Sequence, residues 1–207
     1  YLAIAMSYDD VIRVADLKTR GSRFARVREE VGAKADHLVY TTEFMHPRLE
    51  EVCGTLPAGL GRWLQDSQTL GKWLDQRFNR GRRLQSGTLQ GFLLLYMAAG
   101  MRRLRRSTLR HQIETEHIRA WLADVVGTVG KDYALAVEMV NCRRLIKGYS
   151  DTHERGDSKF ARLMEAGRQM PGQPDAAGRL ARLRDAALAD ENGDALRREL
   201  ALNLKAA

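Results

Sequence analysis

Apolar residues recur along most of the chain three or four positions apart, and almost nowhere alternate as a half-buried strand would. Ser7 with Asp10 fits an N-cap and its acidic partner three residues on, opening a helix through Val11, Ile12 and Ala15. Gly21 and Ser22 weaken that helix midway, and Phe24, Val27 and Val31 continue an apolar face. The run Leu38-Val39-Tyr40-Thr41-Thr42 is β-prone but stands alone, too little for a sheet. Pro47 pushes His46 out of the helical region and opens the next helix. Between residues 54 and 81, Pro57 and a series of glycines break the chain into two short helices, with Trp63/Leu64 and Trp73/Leu74 expected as buried anchors.

Gly91 to Leu104 is apolar on nearly every side, which predicts the central buried helix of the fold. Ser107 is placed to cap the next helix, whose Leu109, Ile113, Trp121, Leu122 and Val125 form one stripe. Gly127 and Gly130 interrupt it, and Tyr133, Val137 and Val140 resume the pattern toward Leu145 and Ile146. After Gly148, Asp151 and Glu154 stand at capping-box spacing ahead of a helix to about Arg168. Pro171 to Pro174 reads as a linker, followed by a helical tail that turns at Asn192-Gly193. The pattern predicts an all-α fold, an irregular multi-helix bundle with little or no β-structure. Residues 1–170 are expected to form the bundle domain, with 171–207 as linker and helical tail packing on it.

Composition adds limits. At 207 residues, 44% hydrophobic and 29% charged, the chain has the make-up of one or at most two globular domains. Its longest apolar run, Phe92 to Met101, covers about half of a bilayer span, so no integral membrane protein is expected. The sequence opens at Tyr1 with no initiator Met and no signal-like region, which reads as a piece of a longer protein in the cytoplasm.

Charge sharpens the picture more. Lys and Arg number 34 against 26 Asp and Glu, a formal net charge of +8. Nine arginines and no acid fall between Arg77 and Arg110, leaving 25 basic and 26 acidic side chains elsewhere. One stretch supplies the whole excess. It reads either as a solvated face, in a chain with 27 arginines and 7 lysines, or as an anion-facing surface. As a basic docking surface its members are Arg80, Arg82, Arg83, Arg102, Arg103, Arg105 and Arg106. Few aromatics interleave with these arginines, which argues against a platform for single-stranded nucleic acid.

Candidate chemistry is sparse. Two Glu-x-x-His pairs, Glu43/His46 and Glu114/His117, have the spacing of carboxylate-bridged di-iron bundles, but Pro47 takes His46 off a helix and spoils the first. No metal site is expected. Cys53 and Cys142 are too few for a disulfide scaffold or a four-thiolate site. Cys142 beside Arg143 and Arg144 is either a thiol of lowered pKa or, the favoured reading, a small core residue. No nucleophile elbow and no phosphate-binding glycine loop is present, so no catalytic residue is assigned. The most site-like stretch is the corner from Arg143 to Gly156, where Arg143, Arg144, Lys147, His153 and Arg155 are candidates to hold an anion.

Four segments carry a family resemblance: Tyr8 to Arg20 (YDDVIRVADLKTR), His46 to Gly61 (HPRLEEVCGTLPAGLG), Gly91 to Met97 (GFLLLYM) with the arginines after it, and Arg144 to Gly156 (RLIKGYSDTHERG). They resemble the C-terminal helical region of the bacterial indolepyruvate oxidoreductase beta-subunit family, the 2-oxoacid:ferredoxin oxidoreductases. The resemblance spans most of residues 8–160 and does not extend past Pro171. It implies a parent enzyme that oxidatively decarboxylates aryl pyruvates onto coenzyme A, with ferredoxin as electron acceptor. It also implies thiamine diphosphate, Mg2+ and iron–sulfur clusters, held by the preceding domains or an alpha-type subunit. The Gly-Asp-Gly…Asn pattern for thiamine diphosphate and the clustered cysteines are missing from this chain. The expectation is therefore a non-catalytic helical domain that braces subunit contacts. The alternative is a basic helical module for nucleic acid or another polyanion, and a third reading gives the Arg143–Arg155 corner coenzyme A phosphates.

Overall fold

Helices gather into two units, residues 9–115 and residues 116–207 together with 1–8. The structure, a computed structural model, describes residues 1–7, 10–45, 49–67, 69–71, 82–147 and 150–205. The side chains of Met45, Arg82, Ser150, Asp151 and residues 203–205 fall outside that description. The expected starts at Pro47 and Gly148, the Trp73/Leu74 anchor, and Arg77, Arg80 and His46 also lie outside the described residues.

In residues 9–115, α2 (Val11–Lys18) begins where Asp10 Oδ1 accepts from the Ile12 and Arg13 amides at 3.0 and 3.2 Å. Asp10 is thus the cap in place of Ser7, whose hydroxyl instead donates to the Ala3 carbonyl at the end of α1 (Leu2–Met6). The weak point at Gly21 is a full break, because α3 runs separately from Gly21 to Glu30. The β-prone run reaches strand only at its end. Strand β1 (Thr42–Met45) pairs antiparallel with β2 (Arg82–Gln85), Thr42 opposite Gln85, and these are the only strands among the described residues. The fold is otherwise helical, as the apolar spacing predicts.

Helices α4 (Leu49–Thr55) and α5 (Ala58–Asp66) follow, and Trp63, expected as an anchor, is exposed. Helix α6 (Leu89–Gly100) opens on Thr88, whose hydroxyl accepts from the Gly91 amide at 3.2 Å. A Cβ at Gly91 would run into the Gln85 carbonyl, so only glycine lets the helix start this close to β2. Leu95 and Ala99 of α6 pack on Ala15 of α2, with Leu84 and Ala98 around them. That small cluster covers one side of α6. Leu89, Leu93, Leu94, Tyr96 and Met97 remain exposed, so α6 is not the buried central helix its composition suggests. Within its unit α6 packs on α2 and β2 and meets Phe24 of α3 at Phe92, 6.4 Å between ring centres, which leaves those five side chains exposed.

A 3-10 helix, Met101–Ser107, carries the arginines to α7 (Leu109–Val129). Thr108, not Ser107, caps α7, accepting from the His111 amide at 3.3 Å, while Ser107 donates to the Leu104 carbonyl. Ile113 is exposed, and α7 continues through Gly127 without a break.

The second unit holds the larger core. Asp132 accepts from the Leu135 amide at 2.9 Å and starts α8 (Tyr133–Asn141). That start sets the phase of α8: it buries Leu135, Ala136 and Met139, while Tyr133 and Val137 are exposed. A 3-10 turn (Cys142–Leu145) leads on to α9 (Ser150–Gln169), α10 (Ala176–Ala189) and α11 (Asp194–Lys205). Trp121, Met139, Phe160, Leu163, Leu180, Leu183 and Leu196 belong to one cluster. The contact boundary falls inside α7, between Thr115 and Glu116, and differs from a 1–170 body with a 171–207 tail. The tail helices supply fully buried leucines to the same core as Trp121, which places them with residues 116–170. The turn at Asn192-Gly193 is present, with Gly193 at φ +78° and the Asp190 carboxylate accepting from the Asn192 and Ala195 amides.

Candidate docking surface

The acid-free arginine stretch is answered from elsewhere in its own unit. Arg105 pairs with the buried Asp10 that caps α2, and Arg110 Nη2 lies 2.8 Å from the buried Glu114 carboxylate one turn on. These two arginines neutralise buried carboxylates of their own unit. Arg102 Nη1 stands 3.9 Å from Asp16, whose pKa is held below the ordinary carboxylate value chiefly by its hydrogen bond from Arg20. Arg83, Arg102, Arg103 and Arg106 face solvent, and Arg83 lies over the Phe44 ring at 5.5 Å. Of the seven expected docking arginines, the structure therefore exposes four and withdraws Arg105. Arg80 and the Arg82 side chain lie outside the described residues.

What spacing alone missed is the apolar partner of those arginines. On α6 the exposed Leu89, Leu93, Tyr96 and Met97 recur at helical spacing and make one stripe, with Phe92 stacked on Tyr96 at 5.8 Å between ring centres. The stripe runs at its C-terminal end into Leu104, also exposed, and the arginines at 102, 103 and 106. An apolar strip ending in cations is the composition of a protein contact, with anchors at the middle and charge at the rim. The signal was in the sequence, because an apolar helix needs a neighbour on every side.

The corner at residues 143–156 comes apart into different roles. Arg143 is buried, its guanidinium 5.5 Å from the Trp121 ring centre and 5.3 Å from that of Phe160. It serves the core and is not presented to an anion. Arg144 is exposed and His153 half-buried, whereas Lys147 and Arg155 line a cleft along α9. Lys159, Arg162 and Arg197 join that cleft and were missed, though Arg155, Lys159 and Arg162 share a helix face by spacing.

The Glu-x-x-His residues serve ion pairs. Glu43 bridges Lys18 and Arg23, the latter at 2.6 Å. Burial pushes Glu43 up, but hydrogen bonds and charge from Lys18 and Arg23 outweigh it and leave the carboxyl below its ordinary range. His117 Nε2 lies 3.4 Å from Asp157 and meets the Phe160 ring edge-on. Among the described residues no three His, Cys, Asp or Glu side chains cluster to hold a metal. Cys53 and Cys142 are both fully buried free thiols, and burial pushes Cys142 up to about 12. Arg143 stacks on rings, so the thiol gains no activation from its neighbour in sequence. Two buried thiols do not fit the four thiolates of an iron–sulfur cluster. No helix among the described residues is long and apolar enough to cross a membrane.

Residues 1–166 match a family described as a family of unknown function (DUF6537). No curated protein matches the chain, and neither does any solved structure.

Proposed function

The chain belongs to this family of unknown function, and we propose that it works as a non-catalytic helical docking domain of an indolepyruvate ferredoxin oxidoreductase subunit. The observation that carries the docking role is the exposed apolar stripe of α6 running into Arg102, Arg103 and Arg106. The enzyme assignment draws its support from the four segments that resemble that family, all of which fall within the matched residues. On this reading the occupant of the stripe is the alpha-type subunit, presenting an apolar patch with an acidic rim. Thiamine diphosphate, Mg2+, the iron–sulfur clusters and the ferredoxin contact belong to the rest of the complex, and no step of the reaction runs through residues of this chain.

The test uses the complete oxidoreductase. Replacing Leu93 and Met97 with Glu should release the alpha-type subunit on size-exclusion chromatography and lower indolepyruvate-dependent ferredoxin reduction, with helix content unchanged. An intact complex with full turnover overturns the docking role. Turnover of indolepyruvate by the chain without its companions overturns the non-catalytic one. A second reading, a polyanion-binding module, rests on the same four exposed arginines and predicts a steep salt dependence of binding.

A further inference from the structure

Arg155, Lys159 and Arg162 stand on one face of α9 and form a wall of a cleft of about 270 Å³. The opposite wall is the turn before α11, through Glu191, Asn192, Leu196 and Arg197. A second compartment of about 110 Å³ shares Arg155, Lys159 and Glu191 with it and is closed by Leu145, Lys147 and Leu188. Five cations therefore line the two compartments, against the carboxylates of Glu154 and Glu191.

The cations are not equivalent. Lys159 is held in place, its ammonium donating to the Ala187 carbonyl at 3.0 Å and to the Asp190 carbonyl. Arg197 pairs with Asp194. Arg155 and Arg162 flank the fixed Lys159 and, among the described residues, pair with no carboxylate. Two guanidiniums lining one concave wall, on either side of a fixed ammonium along the helix, match adjacent phosphate groups better than a single carboxylate. The concavity focuses their field, and its size approaches the ~300 Å³ at which small-ligand pockets begin.

We propose that this cleft binds a small ligand carrying a pyrophosphate or two adjacent phosphates. Arg155 and Arg162 hold the phosphates across Lys159, Ser158 and Asn192 offer neutral hydrogen-bonding groups, and the compartment at Leu145 and Leu188 takes an apolar part of the ligand. The inference stands on the cleft alone and is independent of the docking surface.

Isothermal titration of the 207-residue chain with inorganic pyrophosphate, at ionic strength balanced with KCl, tests it. One saturable site is expected. The double variant R155A/R162A should weaken it by about tenfold or more, the loss of a charge-assisted contact. R162K, which keeps the charge, should recover part of that affinity, and R119A on α7 should leave it unchanged. Arg155 and Arg162 are exposed, so the double variant is expected to keep the parent's circular dichroism and Tm. No saturable heat, an affinity that R155A/R162A leaves unchanged, or an equal loss in R119A overturns the proposal.

Discussion

A missing methyl group sets how α9 approaches the turn before it. A Cβ at Gly156 would run into the Leu145 carbonyl, so Gly156→Ala must push the helix off the 3-10 turn. A loss of about 1–3 kcal/mol is expected from such overpacking, read as a lower midpoint in urea. Unchanged stability would show that the turn gives way freely. Gly156 closes one of the four segments on which the expected resemblance rests, and its place there is a packing requirement. Glu43 makes the same point through charge. Its carboxyl titrates below its usual value in the folded chain, so its contribution is present above the unfolded value and lost as pH falls through the folded one. Glu43→Gln should cost about 1–2 kcal/mol at neutral pH, and the difference should shrink as the pH falls below the ordinary glutamate range. A difference that persists in acid would mean that Glu43 acts through shape and not charge. Its ion-pair partners were not legible in the sequence, because Lys18 and Arg23 come from 25 and 20 positions away and no local pattern announces them.

At the scale of elements, apolar periodicity located the helices but misjudged two relations between them. The boundaries at Asp10 and Thr108 shifted by a few residues because several neighbouring side chains were equally able to cap. Burial was the larger miss. Helix α6 looks like a core helix by composition, yet half of the buried leucines of the second unit come from α10 and α11, where alanine and arginine dilute the apolar signal. Leu180, Leu183 and Leu196 are each fully buried. At about 1.5–3 kcal/mol for each buried side chain, their loss rivals the ~5–15 kcal/mol that stabilises a typical domain. A chain ended after residue 170 should therefore lose the cooperative melting of this unit and the near-ultraviolet signal of Trp121, which packs in the same cluster. A cooperative melt with that signal intact would mean that residues 116–170 hold a core without the tail. The family match ends at residue 166, inside α9, whereas the hydrophobic cluster continues to Leu196.

For the whole molecule, the +8 resolves into two unlike parts. Residues 9–115 hold 19 basic and 12 acidic side chains, and the other unit holds 15 and 14. The excess therefore sits on the unit with the small core and the uncovered helix face, whereas the unit with the large core is close to neutral. On the proposed docking role, charge and apolar surface on one unit would divide the work of association. A field of this kind speeds encounter, while desolvated apolar contacts set how long the partners stay together. Binding of the chain to an immobilised alpha-type subunit should accordingly show an association rate that falls about tenfold between roughly 50 and 500 mM salt. The dissociation rate should change by less than about twofold, and Leu93→Glu should raise it without altering the salt dependence of association. A polyanion-binding module behaves differently, because each arginine–phosphate contact breaks by taking up counterions. With the four exposed arginines engaged, the observed affinity would then fall with a log–log slope near −4, with dissociation carrying much of the change. A dissociation rate that climbs steeply with salt and ignores Leu93→Glu would therefore move the function from subunit docking to polyanion binding.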